Sequence, residues 1–200
     1  STRPDCIHES YLEVLREAQG KYGTNITVEL GLQSVNPHTL LKIGRCHTVA
    51  EFIDAALQIG RYHFDLCTHI IADLPWDDRI DLEEAAKLVS VLPVTEIKIH
   101  SLYIIKGTKL AKMYEKGDIK LLPPEEYAER VVLILSMLRP DIVVQRIVGR
   151  ASANTLSVNG GRPWWEVKEY IEKLMRNRHI QQGSACNYLH GAAVRRFLHE

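Results

Sequence analysis

The sequence predicts an α/β fold, a partial (β/α) barrel of about four parallel strands with flanking helices. Segments with strand periodicity alternate with segments of helical periodicity along the 200 residues, and strands separated by helices are typical of parallel βαβ units. The strands are strongly apolar, which predicts that both of their faces are covered. A complete barrel of this kind needs eight strands. We therefore expect strands to be missing on the N-terminal side of the barrel.

Each element of the first half has its own local signal. Helical spacing covers residues 10–19 and ends before a glycine. A β-branched run over residues 26–32 is the first predicted strand. The capping box Thr48-Val-Ala-Glu51 opens the next helix, because the Thr48 hydroxyl can accept from the Glu51 amide while Glu51 reaches back. The near-continuous apolar run over residues 64–72 is the second predicted strand.

The alternation continues in the second half. A helix is predicted to start at residues 81–84, and residues 96–105 form the third predicted strand. Another helix is expected around residues 127–138, and residues 142–148 are the fourth predicted strand. Pro163, which is favourable in a first helical turn, opens a last helix.

These elements predict one barrel portion over residues 1–178 followed by a loosely held tail over residues 179–200. A long loop is expected over residues 149–162, which are rich in Ser, Asn, Gly and Arg. Because the barrel portion would lack its first strands, the edge of residues 26–32 is expected to be exposed and to self-associate, unless residues 192–198 cover it.

Composition excludes several classes of protein. The 25 Lys and Arg balance the 25 Asp and Glu, so net charge does not indicate a nucleic acid or membrane partner. The sequence contains no stretch of 18 apolar residues, which excludes a transmembrane helix. Its N-terminal residues have the pattern of neither a signal peptide nor a transit peptide. Four cysteines are too sparse for a disulfide framework or a local metal clip, which predicts reduced thiols in a cytoplasmic protein: Cys6, Cys46, Cys67 and Cys186.

The third predicted strand carries the strongest candidate residues. Alternation places Glu96, Lys98 and His100 on one face of this strand. Three polar side chains on one face must pair or line a wet lumen, because burying them without partners is costly. In parallel α/β folds, functional groups gather at the carboxyl ends of strands and in the following loops. Gln33 follows the first strand, and Arg45 comes shortly after it.

Several motifs in order resemble the radical S-adenosylmethionine (radical SAM) superfamily. They are Glu29-Leu-Gly-Leu-Gln33-Ser34, Gly44-Arg45-Cys-His47 and His69-Ile-Ile-Ala-Asp-Leu-Pro75, followed by Lys98-Ile-His100-Ser-Leu-Tyr103, Lys106-Gly-Thr108 and Arg146-Ile-Val-Gly149. Their order and spacing are similar to oxygen-independent coproporphyrinogen oxidase relatives and elongator-type enzymes. Within the superfamily they resemble an uncharacterised bacterial Fe–S oxidoreductase-like branch, over about residues 1–175.

The resemblance implies that this chain is the C-terminal barrel portion of a radical SAM protein. In such proteins a reduced [4Fe–4S] cluster cleaves SAM, and the resulting radical abstracts hydrogen from a substrate. By motif position, Gln33 and His69 would contact the ribose of SAM and Arg45 its methionine carboxylate. The backbone of Ala72, Leu74 and Pro75 would border the adenine. The substrate side of the lumen would be lined by Glu29, Lys98 and His100.

Two departures from the family pattern affect the cofactors. The family holds its cluster through three cysteines spaced CxxxCxxC, and this spacing is absent from the sequence. Either this chain is part of a larger radical SAM enzyme, or its lineage has lost cofactor binding. Neither cofactor is expected to be ligated by this chain alone, and the isolated chain is expected to be inactive. The family's Gly-Leu-Pro-Gly turn reads Asp73-Leu-Pro-Trp76 here, and these larger side chains are expected to crowd the turn.

Two alternatives remain open. A cluster-free (β/α) enzyme would use Lys98 as a Schiff-base or general-base lysine. An RNA-binding module would use the basic C-terminal third, since residues 139–200 contain 10 basic and 5 acidic side chains. The arginines of this third are Arg139, Arg146, Arg150, Arg162, Arg176, Arg178, Arg195 and Arg196. The substrate and the oligomeric state are not indicated by any motif.

Overall fold

The computed structural model describes residues 1–150 and 154–186. Its strands are β1 (Thr27–Gln33), β2 (Asp65–Ile71), β3 (Glu96–His100), β4 (Ile104–Ile105), β5 (Val143–Arg146) and β6 (Thr155–Ser157). Strands β1, β2, β3 and β5 form a parallel sheet in that order, and β4 pairs with β6 in a separate antiparallel ribbon. The predicted four-stranded parallel sheet is confirmed.

Helices connect the parallel strands. They are α1 (Glu9–Tyr22), α2 (Pro37–Lys42), α3 (Val49–Arg61), α4 (Arg79–Val91), α5 (Lys109–Lys116), α6 (Pro124–Met137) and α7 (Trp164–Asn177). The capping box predicted at Thr48 and Glu51 is present at the start of α3. Helix α4 begins earlier than predicted, because Asp78 is its N-cap and forms a capping box with Asp81. The short helices α2 and α5 lie in segments for which no element was predicted from the sequence.

The predicted third strand is divided in the structure. It leaves the parallel sheet after His100, where the Leu102 amide donates to the Asp73 carboxylate at 2.6 Å and the Gly149 amide donates to the Ser101 hydroxyl at 3.3 Å. These two bonds take the place of the backbone hydrogen bonds that would continue β3 in the parallel sheet. The chain then turns out of the sheet to form the β4–β6 ribbon, so part of the predicted long loop is a strand.

The two faces of the parallel sheet differ in the side chains that they carry. One face carries fully buried side chains that pack in the main core against α3, α4, α6 and α7, among them Leu30, Leu66 and Ile97. The other face, here called the lumenal face, carries half-buried polar side chains, and the alternation predicted for β3 is confirmed. A second, smaller core of Leu74, Leu102, Ile104, Ala111 and Ile119 lies where the strands end.

The ends of the described chain are tied to the sheet. Thr2 forms an isolated parallel bridge with Leu30, which covers part of the β1 edge that was expected to be free. The Ala185 amide donates to the Ser136 carbonyl at 2.7 Å, and the Gln182 side chain donates to the Ile142 carbonyl at 2.8 Å. The beginning of the predicted tail is therefore held against α6 rather than loosely attached.

The cover predicted from residues 192–198 lies outside the described residues, as do Arg195 and Arg196. Within residues 1–150 and 154–186, none of the helices is long and apolar enough to cross a membrane.

Candidate functional site

One polar side chain from each of three neighbouring strands meets the others on the lumenal face. Glu29 on β1 forms an ion pair with Lys98 on β3, and the other oxygen of Glu29 lies 3.2 Å from Nε2 of His69 on the intervening strand β2. The ammonium of Lys98 holds the pKa of Glu29 below its usual range. The sequence motifs assign Glu29 and Lys98 to the substrate side of the lumen and His69 to the ribose of SAM, and the sheet brings all three side chains together.

The strand register aligns a row of residues across the whole sheet. Gly31 pairs with His69, His69 with Lys98, and Lys98 with Arg146. Arg146 was quoted in the sequence motifs and counted among the arginines of a possible RNA-binding module, but was not assigned to the lumen, because a sequence does not show the register between β3 and β5. Register alone places this arginine beside the lumenal cluster.

Two histidines meet on the lumenal face. The ring centroids of His69 and His100 are 5.0 Å apart and the rings are tilted by 42°. Burial lowers the pKa of His100 to about 4, with a further contribution from neighbouring His69, and burial also lowers the pKa of His69. The buried Nε2 atom of His100 lacks a hydrogen bond to any described residue, whereas Nε2 of His69 lies 3.2 Å from Glu29. The His100 ring is thus neutral near pH 7 and offers an unused polar atom to a ligand.

Glu96 and Cys67, which are neighbours in the register of β3 and β2, are not suited to catalysis. Glu96 accepts a hydrogen bond from the Gln145 side chain, which stands at the irregularity where β5 shifts its register against β3. Cys67 is fully buried, and burial raises the pKa of its thiol to about 12. A thiol at this pKa stays protonated near neutral pH and is a poor nucleophile.

The carboxyl end of β1 assembles a second polar group around Gly31. A Cβ atom at Gly31 would lie 2.5 Å from the Gln33 amide nitrogen and 2.9 Å from Arg45 Nη2. Arg45 donates from Nη2 to the Gly31 carbonyl and from Nε to His47, at 3.1 Å each. A side chain at position 31 would displace the ends of the Gln33 and Arg45 side chains, so glycine lets the two stand side by side here.

The two large side chains in the turn after β2, those of Asp73 and Trp76, make structural contacts. The Asp73 side chain is buried and accepts from the Leu102 amide, and burial raises its pKa to about 7. Trp76 packs against the smaller core, with Lys42 Nζ 5.1 Å from its ring centroid. The Asp73 carboxylate thus faces the end of β3 instead of crowding the turn. The role of Asp73 was missed by the sequence analysis, since its partner lies 29 positions away.

The side chains of the predicted adenine-bordering residues are not all available. Ala72 and Leu74 are buried, and the Ala72 carbonyl accepts from Arg130 at 3.3 Å. Pro75 is half-buried. A ligand at this turn would therefore meet backbone and proline rather than the Ala72 or Leu74 side chains.

The described residues fit S-adenosylmethionine better than an iron–sulfur cluster. Arg45 and Gln33 supply the kinds of donors that a carboxylate and a ribose accept. By contrast, no group of three His, Cys, Asp or Glu that could hold a metal occurs within residues 1–150 and 154–186. No catalytic step is therefore assigned to a cluster on these residues.

The contacts also bear on the two alternatives. Lys98 is held in an ion pair with Glu29, and an ammonium in such a pair has no free electron pair for a Schiff base. Three arginines of the basic third are engaged with carboxylates: Arg139 with Asp141, Arg162 with Glu125 and Arg178 with Glu129. These pairs reduce the basic surface on which an RNA-binding module would depend.

Comparison with known proteins gives a consistent result. Residues 94–177 match the Radical_SAM C-terminal domain family. The uncharacterized protein YtqA of Bacillus subtilis (strain 168) is 36% identical over 187 residues, covering 92% of this chain and 56% of that protein. Protein YhcC of Escherichia coli (strain K12) is 30% identical over 194 residues, covering 92% and 59%. The chain thus spans little more than half the length of these relatives.

One solved structure shares the fold. It is the archaeal Methanocaldococcus infernus Elp3 with an N-terminal deletion, which matches with a TM-score of 0.73 at 22% sequence identity. The match covers 90% of this chain and 42% of the Elp3 chain. It shows that the parallel sheet and its helices have the arrangement of part of that larger protein.

Proposed function

Because the chain belongs to the radical SAM superfamily, we propose that its lumenal face is the cofactor- and substrate-facing part of a radical SAM active site. The observation that carries the proposal is the placement of Gln33 and Arg45 around Gly31, at the carboxyl end of β1. In open parallel sheets this end is where ligands bind.

Arg45 would hold the methionine carboxylate of SAM. An arginine has five N–H donors in a planar fork, and Arg45 uses donors on Nε and Nη2 within the protein. The remaining donors are free to bind a carboxylate, and the two internal bonds fix the direction of the side chain. Burial lowers the pKa of Arg45, but a guanidinium remains charged near pH 7.

Gln33 and His69 would contact the ribose from adjacent strands. Gln33 has a positive φ of 68°, a conformation that turns the chain at the end of β1. His69 stands beside Gly31 in the strand register. Its Nε2 atom lies 3.2 Å from a Glu29 oxygen, so a ribose hydroxyl would share the ring with that carboxylate.

Glu29, Lys98 and His100 would line the substrate side. The ion pair fixes the positions of Glu29 and Lys98, while His100 keeps an unpartnered Nε2 atom. SAM together with a reduced [4Fe–4S] cluster would supply the one-electron chemistry that removes a hydrogen atom from the substrate. The part of this chain is to bind and orient the two ligands and to limit access of water.

Calorimetric titration with SAM tests the proposal. We expect saturable binding to the chain, and at least 10-fold weaker binding to the Arg45→Gln variant, because a charge-assisted bidentate contact is lost. The control is Arg79→Gln, which removes an equal charge from an exposed ion pair on α4. Absence of binding, or equal affinities of the two variants, would contradict the proposed function.

A further inference from the structure

We propose that Arg146 and Arg150 form an anion-binding subsite for a carboxylate or phosphate group of the substrate, at the open edge of β5. This inference rests on the proposed function and adds the chemical class of the substrate. It depends on a cavity, on the strand register and on the charges that the protein leaves uncompensated.

The first observation is the position of Arg146 between two spaces. Register places it beside Lys98, and its charge lowers the pKa of both His69 and His100 on the lumenal face. Arg146 also lines a cavity of about 700 Å³ along β5, together with Arg150, Trp164, Lys168 and the carboxylate of Glu172. Arg146 therefore stands between this cavity and the lumenal cluster.

The second observation concerns charge. No carboxylate among residues 1–150 and 154–186 forms an ion pair with Arg146 or Arg150, whereas Lys168 in the same cavity is paired with Glu172 at 3.2 Å. The arginines paired with Asp141, Glu125 and Glu129 show that the chain compensates such charges elsewhere. Two uncompensated arginines in one cavity favour an anionic ligand.

The third observation is that Arg150 is held in place. Its guanidinium carbon lies 4.4 Å from the ring centroid of Trp164. A guanidinium stacked on an aromatic face keeps its in-plane N–H donors free for a planar anion, and stacking reduces the entropy that binding would cost. The side chain is therefore prepared for a carboxylate or a phosphate.

The subsite is separate from the residues proposed for SAM. Gly31 and Arg146 stand in the same row but on opposite edges of the sheet, about 14 Å apart for three spacings of about 4.8 Å between neighbouring strands. The methionine carboxylate is assigned to Arg45 near Gly31. A second anion site at this distance therefore belongs to a second ligand, which is the substrate.

The test follows the Nε–Hε resonances of the two arginines by NMR at constant ionic strength. The whole chain is titrated with inorganic phosphate and, separately, with malonate; the tighter ligand identifies the anion class. We expect saturable shifts in both resonances, and at least 5-fold weaker binding to Arg146→Gln and to Arg150→Gln. Arg162→Gln is the matched control, since Arg162 is paired with Glu125 outside the cavity.

Each alternative result overturns the inference. If the shifts do not saturate, or if Arg162→Gln weakens anion binding as much as Arg146→Gln and Arg150→Gln do, the anions are attracted only nonspecifically. Displacement of phosphate by SAM would assign the subsite to the cofactor. SAM binding that depends on Arg45 without any anion binding would overturn the subsite and leave the proposed function intact. Anion binding without SAM binding would contradict the proposed function and the assignment to a substrate.

Discussion

Glu29 and Lys98 form an ion pair across an intervening strand, since β2 lies between the strands that carry them. His69 on β2 lies between the two strands that carry this pair, and its Nε2 atom is 3.2 Å from the second oxygen of Glu29. Three strands are thereby joined on the lumenal face by one carboxylate. Replacing that carboxylate is therefore expected to affect both the stability of the sheet and the state of the cluster.

The Glu29–Lys98 pair should contribute measurably to stability. Glu29→Gln leaves the Lys98 ammonium, whose side chain is only 16% exposed, without a charged partner. We expect a loss of about 1–3 kcal/mol in the free energy of unfolding, measured by urea denaturation. The double variant with Lys98→Met should cost less than the sum of the single changes. Arg79→Gln, in an exposed pair, should cost under about 1 kcal/mol.

His100 should remain neutral well below pH 6. Because burial lowers its pKa in the folded protein to about 4 from the ordinary 6.5, the unfolded chain binds more protons between these values. Folding stability from this group is therefore complete above pH 6.5 and decreases as the pH falls towards 4. NMR titration of the His100 ring protons should show a midpoint near pH 4. A midpoint near 6.5 would contradict the buried, unpartnered environment.

Asp73 should give the opposite pH dependence. Its pKa is raised by burial to about 7 from 3.8, so the folded protein binds more protons between these values and loses stability as the pH rises through 7. The loss is on the order of 4 kcal/mol between pH 4 and pH 8. Asp73→Asn should abolish this part of the dependence in urea denaturation at both pH values. Asp54→Asn, at an exposed site on α3, should leave the dependence unchanged.

Gly149 should not tolerate a side chain. A Cβ atom there would lie 2.0 Å from the Tyr103 hydroxyl oxygen and 2.5 Å from Cζ, so Gly149→Ala should cost about 1–3 kcal/mol. Adding Tyr103→Phe should recover part of the loss. Gly20→Ala in α1, where no atom lies within 4 Å, should be neutral or stabilising by up to about 1 kcal/mol. Equal thermal stability of the two alanine variants would refute the close packing.

The edge of β1 should support self-association of the chain. Thr2 pairs with only part of this edge, through bonds to the Glu29 carbonyl and the Gly31 amide, and no other residue among 1–150 and 154–186 pairs with the N-terminal end of this edge. Light scattering after size exclusion should show dimers or larger species. Thr27→Lys, at an exposed position, should shift them towards the monomer, because a lysine on an edge strand disfavours strand addition. A monomeric wild-type chain would exclude this association.

Local patterns were sufficient for much of the fold. The β-branched and apolar runs identify the four parallel strands, since strand periodicity depends on neighbouring residues only. The box at Thr48 and Glu51 also acts within one helical turn, and the structure confirms it. Alternation along β3 likewise separates Lys98 and His100 from Ile97 and Ile99 without any knowledge of the tertiary structure.

The sequence by itself determined the order of the elements, the polar face of β3 and the superfamily to which its motifs belong. The tertiary structure decided which strands lie side by side, and hence that Glu29 reaches Lys98 and that Arg146 stands beside it. It also decided that β3 ends at His100, because the Asp73 carboxylate takes the Leu102 amide. The physical reason is that strand register, burial and distant hydrogen bonds arise only when separate segments pack together.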